Sequence, residues 1–193
     1  FPFNSLIIKQ KALQFASANY TYVCYLEGND LPYLHGGFPN VLAFGAKKLL
    51  CLDKTANAFE QLTEFQLTAT NTIFGYLGYD LKNELENLES NNSDRLKLPQ
   101  MLFFEPEYLV EYQENEIIIS GENPRLIFDE INKIVIDEKG NEAAPTHNLQ
   151  SKIAKESYVN KVKAVQNHIV RGDIYELNFC QEFFIENIEL QTV

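Results

Sequence analysis

Long apolar runs are missing from this sequence, and no stretch approaches the roughly 18 residues that cross a bilayer as a helix. The first residues, FPFNSLIIKQK, carry no basic segment ahead of their apolar ones and make a poor signal peptide. No membrane partner is therefore expected. Basic residues are scarce: 16 Lys plus Arg stand against 27 Asp plus Glu, for a net charge of −11. Such a chain repels polyphosphate backbones, which excludes nucleic acid as a partner. A small anionic substrate is not excluded, because a metal ion or a local Lys/Arg cluster reverses the field inside one pocket. Cysteine is also sparse. Cys24, Cys51 and Cys180 are odd in number, lack metal-ligand spacing and have apolar neighbours in sequence, which predicts buried, reduced thiols and a cytoplasmic location. His35, His147 and His168 lie far apart, so neither a catalytic triad nor a zinc site is supported. Dinucleotide and Walker glycine loops, internal repeats and low-complexity tracts are absent.

What remains is a globular composition, 45% hydrophobic over 193 residues, enough to bury one core or one and a fraction. Asn4 or Ser5 is placed to cap a first helix carrying Leu6, Ile7, Leu13 and Phe15. Tyr20 to Leu26, Val41 to Phe44 and Lys48 to Leu52 read as strands, and Thr55 to Phe65 as a helix. Thr72 to Tyr79 is a strand with glycines at 75 and 78, which mark close approach of another backbone or a ligand. Asp80 is expected to cap a short acidic helix, with Glu84 and Glu86 facing solvent. Tyr108 to Tyr112 and Glu116 to Ser120 flank a tight turn and form a hairpin. Asn123 and Pro124 start a further helix with Arg125, Leu126, Phe128 and Ile131. The polar stretch Val135 to Gln150 is the linker candidate, dividing residues 1–134 from 151–193. Strands and hairpins with interspersed helices, without a βαβ rhythm, argue an α+β fold with antiparallel sheets.

Beyond the linker, Tyr158, Val162, Val165 and Ile169 recur on one helical face, and Gly172 supplies the left-handed stop. The period then changes from 3.6 to 2. Tyr175, Leu177, Phe179 and Phe183 fall on one side of a predicted strand, and Glu176, Asn178 and Cys180 on the other. By pattern alone that polar face is a solvated edge.

The residues in this stretch, GDIYELNFCQEFF, resemble the entry to the catalytic domain of the chorismate-utilising enzymes. Tyr175, Asn178 and Gln181 look most like the aminodeoxychorismate synthase (para-aminobenzoate synthase) component I branch. Three further segments agree, in order: YLEGNDLPYLHGGFPNVLAFG, FGYLGYDLKNELE, which looks like a GxxxYDxxxxxE pattern, and LPQMLFFEPEYLVEYQENEIIISG.

The resemblance implies a layered αββα sandwich of two facing antiparallel sheets, here incomplete because the sequence stops at Val193 soon after its last strand. It implies amination of chorismate to 4-amino-4-deoxychorismate for folate synthesis, with Mg²⁺ as cofactor and a glutamine amidotransferase subunit as partner. The metal would hold a substrate carboxylate as the 4-hydroxyl departs, and a lysine would act as nucleophile. In the family pattern that lysine and the Mg²⁺-binding glutamates fall beyond Val193. These 193 residues are therefore expected to hold no catalytic residue and no metal ligand, and to be inactive alone.

Glu176, Asn178 and Gln181 are the implied border of the substrate site. Isochorismate synthases carry a water-activating lysine at the position of Glu176, and a carboxylate cannot donate as an ammonium does, which disfavours water as nucleophile. Glutamine is usual there in the ammonia-using branches, so Glu176 departs from those as well, and it reads equally as an ordinary strand-face glutamate. Asn178 resembles the aminodeoxychorismate branch more than the Val-Pro run of anthranilate synthases. Leu26, Glu27, Gly28 and Phe38 correspond to an amino-acid pocket, with Gly28 in place of a serine and Gly37 in place of an arginine. Both losses remove polar contacts, so weak or no tryptophan binding is expected and the pocket is vestigial. Anthranilate synthase component I, and an isolated amino-acid-sensing or amidotransferase-docking module, stay open as alternatives.

Overall fold

A computed structural model describes residues 5–29, 40–53, 56–86, 88, 94–114, 116–136 and 148–186. The chain divides into two compact units, whose described residues are 5–136 and 148–186.

In the first unit, helix α1 (Ser5–Asn19) is followed by strands β1 (Val23–Leu26), β2 (Asn40–Phe44) and β3 (Lys48–Leu52). Helix α2 (Ala58–Thr68), strand β4 (Phe74–Leu77), a 3₁₀ turn (Tyr79–Leu81) and the single-turn α3 (Lys82–Leu85) come next. Strands β5 (Met101–Glu105), β6 (Tyr108–Tyr112) and β7 (Ile117–Ser120) and helix α4 (Pro124–Lys133) complete it. One sheet has the order β1-β2-β6-β7 and the other β3-β5-β4, with antiparallel pairing throughout.

Alternation along the strands builds the layers. Leu42, Phe44, Val110, Tyr112, Ile117 and Ile119 join Ile8, Ala12, Phe15 and Ala16 of α1 and Ile127 and Ile131 of α4 in one buried cluster. The intervening residues Val41 and Ala43 pack instead with Phe74 and Phe104 of the other sheet. On that sheet's far side Met101 packs with Ala58 and Leu81, with Leu50, Leu52, Phe59 and Phe103 around them. The order is thus helices, sheet, sheet, helix, the αββα sandwich expected from the sequence. At its centre Phe44 is fully buried. Its ring meets Tyr20 at 4.9 Å, stacks on Tyr108 at 5.3 Å and meets Phe15 edge-on at 6.1 Å.

Several local expectations shift. The buried face of α1 is Ile8, Ala12, Phe15 and Ala16, whereas Leu6 and Ile7 are exposed. With 3.6 residues per turn, Leu6 and Ile7 sit about 200° and 100° round the helix from Ile8, off the face that meets the sheet. Asp80 lies inside the 3₁₀ turn and makes no capping bond; it pairs with Lys82 at 2.9 Å. Glu84 does not face solvent. Its carboxylate accepts the Ala58 N–H at 2.7 Å and, more loosely, the Phe59 N–H at 3.4 Å. It therefore caps α2 from a distance, where a carboxylate suits the positive helix end; the residue before that helix, Asn57, offers no side-chain cap. Asn123 precedes α4 in the left-handed region at φ 50°, and its carbonyl, not its side chain, accepts the Leu126 N–H. The face of α4 that meets the core is Ile127 and Ile131, while Leu126 is exposed. Gly75 behaves as its place in a strand suggests: a Cβ there would collide with the Leu102 carbonyl and meet Phe103 Cα at 2.7 Å. The backbone of β5 makes that approach.

The cysteines are not uniformly buried: Cys24 is half-buried, and Cys51 and Cys180 are exposed. Cys51 is on β3, an edge strand, so apolar neighbours in sequence do not become apolar neighbours in space.

In the second unit, β8 (Gln150–Ser151) leads to α5 (Lys155–Arg171) and pairs antiparallel with β9 (Phe183–Phe184). Gly172 ends α5 at φ 80°, with its own N–H bonded to Ile169 and that of Asp173 to His168, as expected of a glycine stop. The long strand expected from Tyr175 onward is not formed. Only Phe183 and Phe184 enter a ladder, because the pairing partner supplied by the described residues is two residues long. Most of the expected linker, like His35, Gly37, Phe38 and His147, lies outside the described residues.

Candidate functional site

The implied substrate border lies in the second unit. On α5, Tyr158, Val162 and Val165 are half-buried and Ile169 is 39% exposed, the face that the sequence period selects. Tyr158 stacks on Phe179 with ring centroids 5.1 Å apart, and its hydroxyl donates to the Phe179 carbonyl at 3.2 Å. Gln181 Nε2 donates to the Ile153 carbonyl at 2.7 Å. The Lys152 N–H donates to the Glu182 carbonyl at 3.0 Å, and the two side chains pair at 2.8 Å. Residues 179–184 are thus tied to the chain around the start of α5.

The run before them is open. Glu176 and Asn178 are exposed, and Tyr175 is 91% exposed. Of the three border residues, Glu176 and Asn178 share this open run, whereas Gln181 turns inward. At the end of α5, Asp173 lies 2.7 Å from His168 Nδ1 and 2.8 Å from Arg171; the Arg171 cation is the charge that suits a helix C-terminus.

The amino-acid-pocket residues belong to the first unit and diverge. Leu26 and Cys24 line a cleft of about 370 Å³ between the sheets, with Val41, Phe74, Thr72 and Glu111 among its walls. Glu27 is committed elsewhere. It pairs with Lys9 of α1 at 2.7 Å, and the bonds from Lys9 and then Tyr25 hold its carboxyl below the usual range. Burial, helped by Glu27, pushes the Tyr25 hydroxyl up to about 12. The Gly28 N–H is taken by Asn40 Oδ1 at 2.8 Å. Leu26 therefore meets the cleft while Glu27 and Gly28 are occupied by the protein itself.

One buried carboxylate had little forewarning in the sequence. Glu105, 1% exposed at the end of β5, accepts Thr70 Oγ1 at 2.6 Å and Asn71 Nδ2 at 2.9 Å, with Lys48 Nζ 3.8 Å from its second oxygen. The bonds from Thr70 and then Asn71 hold its carboxyl below the usual range. Lys48 also reaches the Thr68 carbonyl. The only hint in the sequence is a glutamate closing an aromatic run, MLFFEP.

Among the described residues no three His, Cys, Asp or Glu side chains converge to hold a metal ion, so no residue here is assigned to Mg²⁺. Among the same residues no helix is long and apolar enough to cross a membrane.

Residues 24–190 match the chorismate binding enzyme family, and the chain belongs to it. A stretch of 116 residues is 28% identical to anthranilate synthase component 1 of Thermus thermophilus, covering 54% of this chain and 25% of that protein.

Proposed function

We propose that the chain is part of component I of an aminodeoxychorismate synthase, which aminates chorismate to 4-amino-4-deoxychorismate with ammonia from a glutamine amidotransferase. The observation that carries this reading is Asn178, exposed on the run after α5 within the family match. A side-chain amide there offers both a donor and two acceptor lone pairs to a polar, anionic ring substrate, which an apolar residue could not. Glu176, exposed beside it, supplies no ammonium donor to a water molecule, so the pair suits ammonia as nucleophile. Mg²⁺ would neutralise a substrate carboxylate and ease loss of the hydroxyl.

The second reading, anthranilate synthase component I, is favoured by the likeness to the Thermus thermophilus protein. Supplying the whole protein with chorismate, Mg²⁺ and ammonia and identifying the product separates the two. 4-Amino-4-deoxychorismate is the expected product, and a fluorescent anthranilate product would overturn the folate reading. Regulation by tryptophan is not part of the proposal. Glu27 is engaged by Lys9 and Tyr25 and the Gly28 N–H by Asn40, which supports the reading that this pocket binds tryptophan weakly or not at all.

A further inference from the structure

The helix side of the β1-β2-β6-β7 sheet holds a cation between groups that the functional reading does not use. Along β1, Cys24 and Leu26 pack with the facing sheet, whereas Val23 and Tyr25 pack against the cluster that includes α1. Glu27, two residues on from Tyr25, meets α1 as well: Lys9 Nζ donates to Glu27 Oε1 at 2.7 Å. The same nitrogen lies over the ring of Tyr112, 5.7 Å from its centroid, within the range of a cation–π contact. Tyr112 is buried on β6. Tyr25 completes the group, with its ring edge-on to Tyr112 at 6.3 Å and its hydroxyl bonded to Glu27. Although charged, the Lys9 side chain is only 20% exposed.

A carboxylate oriented by a tyrosine hydroxyl beside an aromatic face is what a primary ammonium needs: an opposite charge, an acceptor for an N–H and a ring quadrupole. That chemistry does not require the ammonium to be attached to the chain. Lys9 brings its own on a four-carbon stem from α1, which Ile8 and Ala12 hold against the same sheet. Tethering gives that ammonium a high effective concentration, so it outcompetes free amines. We propose that Glu27, Tyr25 and Tyr112 form a primary-ammonium site that Lys9 fills as a built-in occupant, closing it to free amines. The site lies on the opposite face of the sheet from the cleft lined by Leu26, and it does not depend on which ring amination the whole protein performs.

The test is to empty the site and refill it. Lys9→Ala in the whole protein removes the three stem carbons beyond Cβ and the ammonium, the atoms of n-propylammonium. Alanine is the strongest helix former, so α1 is not weakened by propensity. Thermal unfolding is followed with n-propylammonium chloride and, at equal ionic strength, with sodium chloride. In Lys9→Ala the midpoint should rise with the amine and saturate, with half-saturation on the order of 1–10 mM, as suits a ligand of so few heavy atoms. Wild type should respond to the amine no more than to sodium, and so should Lys9→Met, whose stem refills the space. Adding Glu27→Gln to Lys9→Ala should raise the half-saturating concentration about tenfold or more. A Lys9→Ala protein that ignores the amine, or a wild type or Lys9→Met protein that responds as strongly, overturns the proposal. So does a double variant that binds the amine as well as Lys9→Ala does, because the carboxylate would then not be its receptor.

Discussion

The two units hold their shape by different means. The first encloses continuous apolar clusters: Phe44, Leu42, Met101, Ile131 and Val110 are fully buried, and both faces of each sheet are covered over much of their area. In the second, none of the described residues is buried. Its order comes from one stacked ring pair, one two-residue ladder and a handful of polar ties. Each buried Leu, Ile or Phe contributes about 1.5–3 kcal/mol, against roughly 0.5–1.5 kcal/mol for a net hydrogen bond. The first unit is therefore the scaffold. Among the described residues the second, which bears the proposed substrate border, rests on fewer and weaker contacts.

The largest expected effect tests that contrast at its centre. Phe44→Ala removes a ring that meets Phe15, Tyr20 and Tyr108, and should cost about 3–5 kcal/mol by denaturant unfolding. A loss below about 1 kcal/mol would mean that the scaffold does not rest on this cluster.

A smaller effect is expected from the other side. Tyr158→Phe keeps the stack on Phe179 but deletes the hydroxyl bond to its carbonyl. It should change global stability by about 1 kcal/mol or less. Amides near Phe179 should nevertheless exchange faster, while those of β2 and β6 keep wild-type rates. Equal acceleration in both places would show that the units unfold as one and would break the comparison.

The contrast also explains what could be read in advance. Short, mostly apolar runs, VLAF and YLVEY, located two central strands, because both faces of those strands are covered by different layers. The period of Tyr158, Val162 and Val165 and the stop at Gly172 were legible for the same reason: both are local. α1 was found as a helix, but apolar residues occur around its whole first turn, so only tertiary packing decides that Ile8 and not Ile7 is covered. The strand from Tyr175 failed because a strand needs a neighbour, and pattern alone does not supply one. Of the candidate site, Glu176 and Asn178 are exposed, but so are Tyr175 and Leu177, so alternation does not account for it. The inward turn of Gln181, the diversion of Glu27 to Lys9 and the burial of Glu105 depend on partners 28, 18 and 34–35 residues away, which no local pattern encodes.

The smallest expected effect concerns pH and again falls on the first unit. The Glu27 and Glu105 carboxyls are both held below their ordinary value of 4.5, the first chiefly by Lys9 and the second chiefly by Thr70. A carboxyl with a lowered folded pKa stabilises fully above its unfolded value and loses that contribution as pH falls through the folded one. Denaturation midpoints should therefore hold steady from neutrality to about pH 4.5 and decline below it. Glu27→Gln should flatten part of that acid limb by a few tenths to about 1 kcal/mol, the range for a partly exposed pair, and leave the remainder to Glu105. Tyr25 acts at the opposite end. Its hydroxyl, raised from 10 to about 12, ionises more readily in the unfolded chain, so stability present below pH 10 is lost as pH rises through that interval. Tyr25→Phe should remove this alkaline loss. An acid limb identical in Glu27→Gln and wild type would show that Glu27 is not held by Lys9 in solution, leaving its carboxylate available to a ligand after all.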